Sequence, residues 1–263
     1  DIIVGARRYD NGETNEGAAF VFLGSAAGIV GSDPSSSHAT LEADQAHAEL
    51  GMSVSTAGDV NGDGYADVIV GALNYDNGQT DEGAAFVYLG SASGIVGSNP
   101  TSAHAVLEAD QSEAHLGRGV STAGDVNGDG FADVIVGAPG YDNDQTDEGA
   151  AMVFLGSAEG IVGSSPADAY VVLESEQDLA ELGTSVSTAG DVNGDGYADI
   201  ILGTPGYNNH LGAGGAAMVF FGSATGLMGS NPADAHAVIA SGPDQLSLGD
   251  AVSSAGDVNG DGY

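Results

Sequence analysis

A chain of 263 residues with 42% apolar side chains is long and apolar enough to bury a substantial core, which excludes a disordered segment. Its 38 acidic residues face three basic ones, Arg7, Arg8 and Arg118, for a formal net charge of −35. That balance excludes nucleic acid and anionic membranes as partners, because phosphate backbones and acidic headgroups are held by Lys and Arg.

Forty-four glycines, seven prolines and no tryptophan indicate short elements joined by tight turns, hence an all-β class. There is no cysteine, so neither disulfides nor thiol chemistry contribute. No apolar run approaches membrane-spanning length, so no membrane insertion is expected. The sequence opens at Asp1 without a methionine or a signal peptide, and the expectation is a processed product or a fragment. A solvated acidic surface accounts for most of the charge, and the remainder fits cations as partners or solubility in salty surroundings.

The string DVNGDG begins at Asp59, Asp125, Asp191 and Asp257, at a constant spacing of 66 residues with no insertion. Repeat units therefore run 1–66, 67–132, 133–198 and 199–263 within a single domain, 1–263, or part of one. In chain order, one period holds four segments of strand character: 53–59 (SVSTAGD), 67–72 (DVIVGA), 84–89 (AAFVYL) and 105–109 (AVLEA). The second and third are apolar on both faces, as strands between two packed sheets must be. Four short antiparallel strands per repeat predict one propeller blade, and the fold class expected is an all-β propeller with four blades in this chain. Helical solenoids fit poorly because no stretch has apolar spacing of three and four. Up-and-down topology puts the DVNGDG loops at one end and the loops 75–83 and 108–117 at the other.

In DVNGDGYAD, the side chains of Asp59, Asn61 and Asp63, the Tyr65 carbonyl and the Asp67 carboxylate occupy positions one, three, five, seven and nine. Alternate residues of a tight loop can all turn inward, and calcium takes six to eight oxygens, so the expected cofactor is Ca²⁺. Magnesium, with its tighter octahedral demands, fits less well. The spacing matches the first part of an EF-hand loop but departs at position twelve, where Val70 stands inside an apolar strand. Asn, Asp and Gly are also plain turn formers. Three acids converging on one turn in every copy nonetheless call for a cation. The further copies are Asp125, Asn127, Asp129, Phe131 and Asp133, then Asp191, Asn193, Asp195, Tyr197 and Asp199. The last begins Asp257, Asn259, Asp261 and Tyr263, and its ninth-position phase is the one held by Asp1.

The strings LGMSVSTAGDVNGDGYADVIVGAL, LGRGVSTAGDVNGDGFADVIVGAP and LGTSVSTAGDVNGDGYADIILGTP closely resemble FG-GAP repeats, the blades of integrin α-subunit propellers and of many bacterial surface proteins. Leu replaces Phe in the first half of the motif, and Gly-Ala-Pro stands only at 137–139. The resemblance covers essentially the whole chain. It implies a β-propeller, usually of seven blades, with calcium in the hairpin between the first two strands and macromolecular ligands on the opposite face. Four blades leave three architectures: a fragment of a larger array, which is the expectation, a closed ring in which 252–257 pairs with the strand after Asp1, or a homo-oligomer formed by blade completion between chains.

On the opposite face, the loops at 9–17, 75–83 and 141–149 repeat a Tyr and several acids, which suits a basic protein or a glycan or else serves only as turn structure around a packed Tyr. The equivalent loop 207–215 has lost every carboxylate. His38, His104 and His236 share one phase with Tyr170, which argues for a packing or surface role rather than metal ligation. No nucleophile elbow, HExxH motif or phosphate loop is present, so no enzyme is expected. The leading expectation is a calcium-binding extracellular or cell-surface module for adhesion or macromolecule binding. Alternatives are a structural, self-assembling array and a propeller domain of a polysaccharide-acting enzyme.

Overall fold

The computed structural model describes residues 1–209, 212–242 and 247–262. Glycine-bounded runs of Val, Ile, Ala and Phe form the strands because they lack helical periodicity, and the central strands of the second, third and fourth sheets bury side chains on both faces. The first strands are β1 (Ile2–Ala6), β2 (Ala18–Phe22), β3 (Ala39–Glu42), β4 (Leu50–Gly58), β5 (Asp67–Ala72), β6 (Ala84–Tyr88) and β7 (Ala105–Glu108). Then come β8 (Gly119–Gly124), β9 (Asp133–Ala138), β10 (Ala150–Phe154), β11 (Val171–Glu174), β12 (Ser185–Gly190) and β13 (Asp199–Thr204). The last are β14 (Asn208–Asn209), β15 (Gly212–Ala213), β16 (Ala216–Phe220) and β17 (Ala237–Ala240).

These strands build four antiparallel sheets in meander order, with β14 and β15 forming a small separate hairpin. The first blade is β1-β2-β3, the second β4-β5-β6-β7, the third β8-β9-β10-β11 and the fourth β12-β13-β16-β17. The propeller-type blades expected from the repeat are therefore present, three of them with four strands and the first with three. Strand β5 has the expected bounds, whereas β4 begins three residues earlier than the expected 53, at Leu50. Residues 252–257, which the repeat phase marks as a first strand, form no strand and do not pair with β1. The closed four-bladed ring is thus not the arrangement observed. A strand needs a hydrogen-bonded neighbour, and among the described residues this segment has none.

The core lies between blades rather than within any one of them. Leu41 and Val21 of the first blade pack with Val70, Phe86 and Leu50 of the second. Ile69, Val87 and Leu107 face Val134, Val136 and Met152 of the third, whose Ile135, Val153 and Leu173 face Ile200, Leu202 and Met218 of the fourth. Neighbouring residues of one strand, Ile69 and Val70, thereby serve two different junctions, which is why β5 reads as apolar on both faces. At the inner strands the blades approach so closely that a Cβ on Gly71 would fall 1.9 Å from the Gly117 carbonyl oxygen. This contact fixes glycine in both halves of the LG…GA pattern. Outer edges are covered as well: the Glu42, Glu108 and Glu174 amides donate to the Ser98, Ser164 and Ser230 carbonyls of the next blade at 2.7–2.8 Å.

Candidate metal centres in the blade hairpins

The DVNGDG loops that begin at Asp59, Asp125 and Asp191 each join the first two strands of a blade. A register shift between Thr56 and Gly58 turns the chain out of β4, and the same bulge recurs at Thr122/Gly124 and Thr188/Gly190. The Thr56 hydroxyl holds it by donating to the Asp67 carbonyl at 3.2 Å and accepting the Gly58 amide at 3.0 Å.

Inside the loop the predicted side chains turn inward onto their own backbone. Asp59 accepts the amides of Asp63 (3.0 Å, Oδ1) and Gly64 (2.8 Å, Oδ2). Asn61 Oδ1 accepts the Asp63 amide at 3.0 Å, and Asp63 Oδ1 accepts the Tyr65 amide at 2.9 Å. Gly64, at φ +89°, supplies the left-handed step that lets the chain curl. Asp125, Asn127 and Asp129 repeat this set, as do Asp191, Asn193 and Asp195. Asp257 and Asn259 repeat it onto the Asp261 and Gly262 amides. Tyr263 lies outside the described residues.

The ninth-position acids sit at the loop base, fully buried. Asp67 accepts the Val60 amide at 2.8 Å and the Gly90 amide at 2.7 Å. Asp133 accepts those of Val126 and Gly156, and Asp199 those of Val192 and Gly222, all at 2.9 Å. Asp1 holds the equivalent place in the first blade, accepting the Gly24 amide at 2.7 Å. Burial pushes Asp133 up to about 7; the Gly156 and Val126 amides oppose that shift, and Asp129 and Asp125 add to it by repulsion. Asp67 and Asp199 are raised for the same reasons, again with burial first. No side-chain cation relieves these loops: both ion pairs among the described residues, from Arg7 and Arg8 to Glu49, lie at the other end of β4.

This donor set consists of carboxylate, amide and carbonyl oxygens on one curled loop, with mutual repulsion that a cation would remove. It fits a hard divalent ion. Among the described residues the loop carboxylates do not form a trio within 4.8 Å of one another, because backbone amides occupy the space between them.

Two trios that do close to that distance lie at the opposite end: Glu16, Glu42 and Asp44, and Glu82, Glu108 and Asp110. Glu82 is buried, with its Oε1 accepting the Asn77 (2.7 Å) and Gln79 (3.2 Å) amides, while Asn77 Nδ2 donates to Glu108. Sequence reasoning saw the acidic loop but not this convergence with the end of the fourth strand. The signal was available, since the phase holding these acids carries Gly214, Ala240 and Gly242 in the fourth repeat, where all three are lost together. These opposite-face loops are also stitched between blades: Gln45 donates to the Asp76 carbonyl (2.9 Å) and accepts its amide (2.7 Å), as Gln111 does with Asp142. Tyr75 packs edge-on against Phe86 at 5.2 Å, as Tyr9 does against Phe20, so the repeated Tyr is a packed residue.

The shared His/Tyr phase is a packing position, and its first three members touch the next blade. His38 abuts Gly94 of the second blade, His104 abuts Gly160 of the third, and Tyr170 donates to the Thr225 carbonyl of the fourth. His236 stacks on Phe221 with ring centroids 3.8 Å apart.

The sequence profile of the FG-GAP repeat matches residues 50–88, 116–154 and 182–220. Each match starts just before or at the first strand of a four-stranded blade and ends with its third. The chain is 34% identical to phosphatidylinositol-glycan-specific phospholipase D of Bos taurus over 164 residues, 60% of this chain and 19% of that protein. It is 32% identical to integrin alpha-PS5 of Drosophila melanogaster over 195 residues, 73% of this chain and 18% of that protein. With human integrin alpha-7 the identity is 33% over 157 residues, 59% of this chain and 12% of that protein. The matched region thus spans less than a fifth of these relatives' length.

Proposed function

We propose that this chain, which carries FG-GAP repeats at residues 50–88, 116–154 and 182–220, is a calcium-binding propeller module that engages a macromolecule outside the cell. The observation that carries the metal assignment is the loop itself: Asp59, Asn61 and Asp63 turn inward over Asp67, whose carboxyl is raised first by burial and then by repulsion from Asp63 and Asp59, and the third and fourth blades repeat it. Asp59, Asn61, Asp63, the Tyr65 carbonyl and Asp67 would hold the ion, with the corresponding residues in the next two copies. The bound ion would supply charge neutralisation that stiffens the hairpin, and no chemistry on a substrate is assigned to it.

Recognition is assigned to the opposite end, where acidic loops bear exposed carboxylates such as Asp76 and Asp142 beside packed tyrosines. That surface suits a basic protein or a glycan. The likeness to integrin alpha chains supports an adhesive role at the cell surface. The likeness to phosphatidylinositol-glycan-specific phospholipase D supports a second reading, a non-catalytic module within a larger enzyme. Binding to a glycan array and to immobilised basic proteins, in calcium and in chelator, tests the proposal. Saturable binding weakened by Asp76→Ala with Asp142→Ala is the expected result, and no binding in either condition contradicts it.

A further inference from the structure

Asparagine stands directly before glycine at 11–12, 61–62, 77–78, 127–128, 193–194 and 259–260. The pair is reactive because a glycine amide nitrogen, with no Cβ beside it and a freely turning backbone, reaches the side-chain carbonyl carbon of the residue before it. By sequence these sites are equivalent. The fold divides them.

In the DVNGDG loops the asparagine is held at both ends of its amide. Asn61 Oδ1 accepts the Asp63 amide at 3.0 Å while Nδ2 donates to Asp63 Oδ2 at 3.1 Å, and Asn127 and Asn193 repeat both bonds onto Asp129 and Asp195. The Gly128 and Gly194 amides donate to Asp125 and Asp191 Oδ1 at 2.6 and 2.7 Å. Gly62 and Gly128 also lie against the rings of Phe131 and Tyr197. All three of these asparagines are half-buried.

At the opposite end, Asn11 and Asn77 are exposed and held at one atom only. Nδ2 of each donates to an acid of the blade's last strand, Glu42 or Glu108, and Oδ1 accepts nothing among the described residues. Glu16 and Glu82 bind the amides on either side, Asn11 and Glu13 in one loop and Asn77 and Gln79 in the other, and pass over Gly12 and Gly78. Among the described residues those two glycine amides donate to nothing, and a Cβ on Gly78 would meet nothing within 4 Å. The third loop has Asp144 in place of the glycine, and there Glu148 takes the intervening amide as well, at 3.1 Å.

We infer that Asn11 and Asn77 are self-modifying sites, converted to aspartate and isoaspartate while the chain is folded, whereas the asparagines of the DVNGDG loops are kept as amides. The Gly78 nitrogen gives its proton to water and bonds to Cγ of Asn77. The Cγ–Nδ2 bond breaks, and the nitrogen leaves as ammonia with a proton taken from water. The five-membered imide so formed adds one water at either carbonyl, which restores the ordinary backbone as aspartate or routes it through the side chain as isoaspartate. Asn11 and Gly12 follow the same course.

Either product removes the Asn77 donor from Glu108 and adds a carboxylate beside Glu82, Glu108 and Asp110. Isoaspartate also lengthens the backbone by a carbon between two amides that share Glu82 Oε1. With age, this end of the propeller therefore gains negative charge and loses a loop anchor, while the DVNGDG end keeps its donors. The inference rests neither on the metal assignment nor on a ligand.

Incubation of the full chain at mildly alkaline pH, in calcium and in chelator, tests it, with peptide mapping by mass spectrometry and enzymatic methylation of isoaspartate as readouts. Freeing a loop asparagine breaks hydrogen bonds that Asn11 and Asn77 do not make, so positions 11 and 77 should convert at least about tenfold faster than 61, 127 and 193. In urea, where the fold no longer separates them, these sites should converge on one rate. Gly78→Asp copies the third loop and should suppress conversion at 77 while leaving that at 11 unchanged. Equal rates at these sites in the folded chain, in either condition, would overturn the inference, since sequence alone would then govern. Retention of the amides at 11 and 77 until urea is added would overturn it as well, because the Glu42 and Glu108 bonds would then be protective.

Discussion

The Ala132 amide donates to the Asp59 carbonyl oxygen at 3.0 Å, fastening the base of one hairpin loop to the neighbouring blade. The carboxylate of the same Asp59 turns the other way, onto the Asp63 and Gly64 amides. One residue thus links the interior of the loop to the blade junction. Whatever orders the loop also orders the interface, so an ion bound in the loop would stabilise the blade junction as well.

Calcium at about a hundred times its dissociation constant should stabilise the fold by about 2.7 kcal/mol per site, visible as a melting temperature that falls in chelator. Asp129→Ala should remove the share of that increment belonging to the third blade. Asp142→Ala is the contrast, because it removes only the bond from the Asp147 amide to Asp142 Oδ1 (2.6 Å) on the opposite face. Its cost, about 0.5–1.5 kcal/mol, should be the same with and without calcium. Equal calcium dependence in the two variants would contradict the assignment.

Asp133, pushed up to about 7 by burial, makes stability depend on pH. Between the unfolded carboxyl range near 3.8 and about 7, the folded state holds a proton that the unfolded state has released. In chelator, stability should therefore fall as pH rises through this window and level off above it. Asp133→Asn removes the contribution of this residue, so the variant's melting temperature should vary less with pH. Proton competition at the same site should weaken calcium binding as pH drops below about 7. Melting curves at a series of pH values check both signs.

Glu82 is buried, and its Oε1 satisfies two backbone amides, so Glu82→Ala should strand the Asn77 and Gln79 donors. The expected cost is about 1–3 kcal/mol in urea unfolding. Glu82→Gln keeps an acceptor oxygen and lowers the charge beside Glu108 and Asp110, so it should cost less. A larger loss for Gln than for Ala would show that the charge itself is required.

What could be read from the sequence was what the 66-residue period marks locally. Strand β5 begins at a buried Asp and ends at a Gly-Ala forced by the approach of Gly117, so chemistry marks both of its ends. The loop residues were legible because alternate oxygens of one short segment need no distant partner. The trio Glu82, Glu108 and Asp110 was not, since pairing of Ala84 with Glu108 across β6 and β7 is what brings a loop acid to the end of a strand. Residues 252–257 show the same limit from the other side. Their sequence is that of a first strand, but strand structure comes from a neighbour, and none pairs with them among the described residues.

The central claim is that the hairpin loops hold calcium, and the most direct test is the calcium content of the chain by elemental analysis after equilibrium dialysis. One ion per complete loop is predicted, lost singly with Asp63→Ala, Asp129→Ala and Asp195→Ala and entirely when the three are combined. A chain that retains no calcium, or one whose calcium content is unchanged by the combined substitution, would contradict it.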